Sequence, residues 1–389
     1  MSGPPRPLQR PPLGTARPAL RRWLWTGSLS LLFLLTGTMF AAGLDAELGA
    51  ATALVGLAAA VLPLFIVLPA VLWLDRFESE PTSYLVSTFL WGACVATAGA
   101  LLLNTSTMFL IAQVAGGDAA REVTAVVVAP VVEELLKGLG VLLVLLLRRR
   151  EFDGVVDGIV YAATCAAGFA FAENVLYLGR GYTEYGATGL AVVLVTRGVF
   201  APFAHPMFTA CFGVGLGIAA TRSRGAVRFI APVVGLLLAM FLHGLWNATA
   251  LVGADGAVTL YLLLQVPMFV VAGIFAAWAR RREGRIIAQE LTEYAARGWF
   301  APPEVTMIGS IALRRQARRW AAQTGGPGNG RTMRAFQDEA TELAFLRQRL
   351  RRGTAPPDAQ ATELALLHDI AALRARIYAP ATGALAPRG

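Results

Sequence analysis

Residues 121–147 read REVTAVVVAPVVEELLKGLGVLLVLLL, and the reading of this stretch decides the fold. It is apolar along most of its length and exceeds the ~20 residues that a helix needs to cross a bilayer. Yet Glu133, Glu134 and Lys137 stand in its middle. Charge at the centre of a membrane helix is costly and tends to mark function. Such a helix belongs inside a bundle, where neighbouring helices cover its charges.

The rest of the chain has the same character. Of its 389 residues 56% are hydrophobic and 15% charged, and the mean hydropathy is +0.57. A soluble domain carries about a quarter charged residues. The apolar residues form long runs between residues 23 and 280, which predict eight spans: 23–44, 48–74, 83–114, 121–147, 155–178, 187–220, 226–252 and 257–279. The expected fold is all-α, a polytopic transmembrane bundle of about eight spans with a helical cytoplasmic C-terminal extension. The sixth span contains Arg197, Gly198, Pro202 and Pro206, a combination that predicts a break or kink.

Three segments follow. Residues 1–22 are rich in proline and arginine and carry no acid, which predicts disorder. The run at 23–44 lacks a small-residue cleavage site and reads as a retained helix, not a signal peptide. Residues 23–282 form the membrane core. Beyond them, 283–323 and 331–378 have amphipathic helical patterns around a loop at 325–330 (Gly-Gly-Pro-Gly-Asn-Gly). Leucines on both sides of Gly353 and Pro356-Pro357 predict a helical hairpin used for packing or dimerisation.

The net charge of +9 comes from arginines beside the ends of the spans. The N-terminal tail, Arg148 to Arg150, the loop with Arg222, Arg224 and Arg228, and Arg280 to Arg282 fall on one side under an eight-span count. The positive-inside rule then places both termini in the cytoplasm. No basic face with interleaved aromatics occurs, which argues against nucleic acid as a partner. Cys94, Cys165 and Cys211 lie in apolar runs without a C-x-x-C pairing, so neither a thiolate metal site nor a disulfide framework is expected. Of the 34 basic residues only Lys137 is a lysine, and with abundant alanine this points to a GC-rich bacterial genome and a bacterial cell membrane.

The informative residues are the polar ones inside the spans. Glu133, Glu134 and Lys137 lie in span four, Glu173 and Asn174 in span five, His205 in span six, His243 and Asn247 in span seven. Each helix places its group roughly 15 to 18 residues from the cytoplasmic boundary, about 22–27 Å at 1.5 Å per residue. Four helices thus bring rare polar groups to one layer. Glu133 and Lys137, at i and i+4, share a face and can neutralise each other, while Glu134 points about 100° away. A compact lysine ammonium in an otherwise arginine-using protein suggests a specific need.

These groups suit hydrolysis. A buried glutamate, Glu133 above all, can act as general base on water. Glu173, His205 and His243 could hold a divalent metal such as zinc with an open position for that water, or orient the water without a metal. Asn247 beside His243 could donate to an oxyanion. A proton- or cation-coupled transporter would draw on the same residue types, although no inverted repeat is visible. A non-catalytic scaffold would use them only to bind partner helices.

At these residues the sequence resembles the PrsW family of bacterial intramembrane proteases, distant relatives of the CAAX prenyl endopeptidases. The matching elements are E-E-x-x-K (Glu133, Glu134, Lys137), F-x-x-x-E-N (Phe169, Glu173, Asn174), the histidine His205 and H-x-x-x-N (His243, Asn247). The loop Asp75-Arg76 to Glu80-Pro81, leading into Phe89-Leu90-Trp91-Gly92, adds to the likeness, which covers roughly residues 60–280. The resemblance implies site-specific cleavage of a membrane-protein substrate of the anti-sigma-factor type. It implies a metalloprotease, while the CAAX branch offers a metal-free route through glutamate and histidine. This chain carries Glu173 where that branch usually has histidine.

Overall fold

The computed structural model describes residues 16–149, 152–222 and 224–378. Residues 1–15 of the expected disordered tail lie outside the described residues, and from Ala16 the chain is helical. Among the described residues there is no β-strand. Within a bilayer every backbone polar group must be satisfied inside its own segment, and the helix achieves this.

The elements are α1 (Ala16–Leu48), α2 (Ala50–Leu74), α3 (Thr82–Ala115), α4 (117–147), α5 (Val155–Val195), α6 (Ala204–Ala220), α7 (Val227–Leu251), α8 (Asp255–Ala296), α9 (Pro302–Ile308), α10 (Ile311–Arg352) and α11 (Ala359–Tyr378). Among the described residues six apolar helical stretches are long enough to span a membrane. In the longest, Val155–Ala220, 83% of its most apolar 18-residue segment is buried within the protein, whereas in α1 and α8 the corresponding share is 6%. The first part of α5 and α6 therefore form the centre of the bundle, and α1 and the apolar part of α8 present their side chains to lipid.

The chain was expected to form a loop between 178 and 187. Instead α5 stays helical up to Gly186, whose φ of 61° and ψ of −145° reverse the chain at a single residue. A side chain is strained in that conformation and glycine is not. The reversal is tight: a Cβ on Gly189 would lie 2.1 Å from the carbonyl oxygen of Gly181. The returning arm ends in a π-helical turn, Thr196–Phe200, and the chain opens at 201–203 before α6 begins.

Close helix crossings hold the centre together. A Cβ on Gly158 would meet the Gly213 carbonyl at 2.0 Å, and one on Gly213 would meet the Gly158 carbonyl at 2.1 Å. Gly92 of α3 sits as closely on the Cys165 carbonyl of α5. Lipid offers no hydrophobic force between helices, so close backbone approach through small residues supplies the packing. Gly213→Ala is expected to cost about 1–3 kcal/mol by overpacking. Gly273→Ala, which has nothing within 4 Å of its added carbon, should leave the thermal midpoint in detergent unchanged. Equal midpoints for the two variants would contradict this reading.

Helix α8 runs without interruption from the membrane region to Ala296. The amphipathic helical stretch expected over 283–323 is divided: Gly298, at φ 83°, and Pro302-Pro303 end one helix and start another. At 325–330 the expected loop is reduced to one non-helical residue, Gly326 (φ 78°, ψ 175°), around which α10 bends. Helices α9 to α11 pack on the end of α8 around Ile287, Leu291, Phe336, Leu343 and Ile370. Phe77, from the α2–α3 loop, enters this same core. The buried Arg314 of α10 donates to the Phe77 carbonyl at 2.8 Å and to the Gln337 carbonyl at 2.6 Å.

That loop also carries buried acids. Both oxygens of Asp75 accept from the Glu80 backbone N–H, at 3.2 and 3.0 Å. Burial pushes the Asp75 carboxyl up from 3.8 to about 7, with that hydrogen bond opposing and the charge of Asp157 adding to the rise. The folded state therefore favours the protonated form. Its contribution is present at low pH and is lost as pH rises from about 4 through 7. The stability gained by Asp75→Asn should be near zero at pH 4 and complete by pH 8, as read from thermal melts. A pH-independent difference would refute the assignment.

Candidate active site

Helix α4 positions the central group. A π-helical turn, Thr124–Val128, precedes Pro130, and the helix then runs regularly to Leu147. The indole N–H of Trp91 in α3 donates to the Leu136 carbonyl at 2.9 Å and fixes the rotation of this helix. Glu133, Glu134 and Lys137 are all buried.

Glu134 is the hub. Its Oε1 lies 2.6 Å from Lys137 Nζ and 3.0 Å from His243 Nδ1, and its Oε2 accepts from the Thr209 hydroxyl at 2.7 Å. Lys137 Nζ is also 3.2 Å from His205 Nδ1 and 4.2 Å above the Phe169 ring. A lysine buried this completely needs such partners, because an unpaired ammonium is very costly away from water. The pairing differs from the expectation at i, i+4. Lys137 binds Glu134 directly and stays 3.8 Å from Glu133. Both spacings share a helix face, and the contacts of α6 and α7 decide between them.

That choice leaves Glu133 without a direct hydrogen bond to the lysine. Its Oε1 accepts from the Asn104 amide at 3.3 Å, whereas its Oε2 is buried with no hydrogen-bond partner among the described residues. The Oε2 lies 3.7 Å from His243 Nε2. Glu133, His205 and His243 each offer a ligand atom within 4.8 Å of the others. The two imidazole rings meet edge to face with centroids 5.0 Å apart, and Phe208 stacks on His243 at 5.2 Å.

Glu173 stands on the far side of His205, 2.9 Å from its Nε2, and is paired with Arg197. Arg197 also donates to Asn174 at 2.7 Å and lies 4.1 Å over the Tyr177 ring. Glu173 thus borders His205 from behind, and Glu133 takes the position facing both histidines. Asn247 donates to the Ala125 carbonyl at 2.8 Å, tying α7 to the π-helical turn of α4.

Sequence reasoning had no role for Arg197, Thr209 or Asn104. Arg197 carries the same signal as Glu133, a charge within an apolar run, but beside Gly198 and Pro202 it points first to a helix break. Asn104 was another polar residue within a span. Thr209 carried no signal, since a threonine hydroxyl is easily satisfied by its own helix.

Fold and site define a multi-pass membrane hydrolase whose reactive groups are enclosed between transmembrane helices. Residues 80–272 match the family described as PrsW family intramembrane metalloprotease. Protease PrsW of Clostridioides difficile is 26% identical over 215 residues, covering 54% of this chain and 86% of the relative. Protease PrsW of Oceanobacillus iheyensis is 32% identical over 135 residues, 35% of this chain and 56% of the relative. The Geobacillus kaustophilus Protease PrsW is 29% identical over 177 residues, 44% and 69%. No solved structure matches. Over about half of its length the chain is similar to the PrsW family, and these relatives support an intramembrane protease.

Proposed function

We propose that this protease cleaves a single-span membrane protein of the anti-sigma-factor type, with Glu133 as the general base that activates water. The observation that carries this reading is the buried Oε2 of Glu133, which accepts no hydrogen bond among the described residues and faces His205 and His243. A water held there has a carboxylate to take its proton and the Nε2 of His243 to orient it. Lys137 pairs with Glu134, and Glu134 in turn holds the His243 ring through Nδ1, leaving Nε2 toward Glu133. Glu173 holds His205 from the opposite side. Asn247 supports the α4–α7 contact, from which its amide can serve a developing oxyanion.

Glu133, His205 and His243 also fit a divalent ion such as zinc: three nitrogen and oxygen donors within 4.8 Å of one another, one of them without a hydrogen bond. A bound zinc would polarise water and the scissile carbonyl. The purified protein is expected to hold about one zinc per chain, and chelation should remove its activity. A metal-free preparation that cleaves at the full rate would assign water activation to the side chains alone.

The arginine-rich span ends support cytoplasmic termini, and three bacterial relatives support a bacterial cell membrane. The test is incubation of the reconstituted protein with single-span substrates. Products cut within or beside the span support the proposal. Ion-driven uptake into the same liposomes, without cleavage, would replace it with a transporter.

A further inference from the structure

Where α8 leaves the membrane region, a cavity of about 400 Å³ opens between the ends of α5, α6 and α8 and the C-terminal helices. Arg222 and Arg224 from the α6–α7 loop, Arg282 from α8 and Arg352 from α10 line it, with Trp278 at its edge. Two acids, Asp153 and Glu283, also line it, and Asp153 is paired with Arg349 at 2.9 Å. Among the described residues none of Arg222, Arg282 and Arg352 forms an ion pair with a carboxylate. Three chain segments thus bring like charges to one concave site, and they meet without enough acid to neutralise them. Arg352 registers this. Burial lowers its pKa from the ordinary 12.5, and the nearby Arg282 and Arg222 lower it further.

A second feature meets the cavity from the other direction. A groove lined by Val270, Gly273, Ile274 and Ala277, with Arg281 and Arg285 at one end, runs along α8 past Trp278, which borders both spaces. Val270 and Ile274 are exposed on the lipid-facing side of α8. An apolar groove that ends at a tryptophan and then an arginine-lined hollow matches an acyl chain joined to a phosphate. Tryptophan favours the membrane interface, and arginine binds phosphate through several donors at once.

We propose that this site binds an anionic phospholipid, its phosphate headgroup between Arg282, Arg352 and Arg222 and an acyl chain along the α8 groove. The bound lipid bridges the membrane bundle and the C-terminal helices. Binding requires no proteolysis, so this inference stands apart from the substrate reading.

The test uses the full chain in nanodiscs of mixed phosphatidylglycerol and phosphatidylcholine, with retained lipids counted by native mass spectrometry. The wild type should retain phosphatidylglycerol over phosphatidylcholine by about ten-fold, and R282Q/R352Q should bring the ratio near one. R315Q/R319Q removes the same charge from an exposed face of α10 and should leave the ratio unchanged. Arg222→Gln, in an exposed loop where folding is not at stake, should lower it by about five-fold. Equal retention of the two lipids by the wild type overturns the proposal, as does an unchanged ratio in both cavity variants. Displacement of phosphatidylglycerol by millimolar inorganic phosphate would identify a soluble phosphate as the occupant and overturn it too.

Discussion

Glu133→Gln is expected to lower substrate cleavage by about 10³-fold while leaving the protein folded, within the 10²–10⁴-fold range of positioned general bases. The amide keeps the size of the carboxylate and can still meet Asn104, which contacts only Oε1. What it loses is the capacity of the other oxygen to take a proton from water. Glu134→Gln serves as the comparison, because Glu134 has every oxygen engaged by Lys137, His243 and Thr209. Its substitution should also reduce cleavage, but together with a lower thermal midpoint. Glu133→Gln should leave that midpoint within about 2 °C. If Glu133→Gln retains a tenth or more of the wild-type rate, Glu133 is not the base.

Lys137→Met should destabilise the protein by about 3–5 kcal/mol, the cost of leaving a buried carboxylate without its partner. Methionine fills nearly the same volume, and the side chain is fully buried beside Phe169, so lost packing explains little of the effect. The structure adds a rescue test. Glu134→Gln in the Lys137→Met background removes the stranded charge and should recover more than half of the lost stability. It should not recover cleavage, because the network that orients His243 is gone. Additive destabilisation in the double variant would show that the two side chains act independently, contrary to their 2.6 Å contact.

Much of this was legible from residue order alone. In hydrocarbon only a helix satisfies its own backbone, so runs such as 121–147 prescribe helices whatever surrounds them. Ionisable residues in such runs stand out for the same reason, and Glu133, Glu134, Lys137, Glu173, His205 and His243 were all found by it. Their common depth followed from the fixed rise of the helix. Periodicity also revealed the amphipathic helices after residue 283, though Gly298 and Pro302-Pro303 divide them where the pattern suggested continuity.

Tertiary structure alone decided which of these groups touch. Helical spacing allows Lys137 to reach either glutamate, and Thr209 and His243, brought by α6 and α7, draw Glu134 into the pair. Glu133 becomes the reactive candidate through what its neighbours leave unbound. Arg197 reaches Glu173 because the chain reverses at Gly186 and returns alongside itself. The fold of Phe77 and Arg314 into one core likewise joins residues far apart in sequence. A sequence states how far along a helix each side chain lies. Which way each helix is turned, and what it faces, depends on the packing of all the others at once.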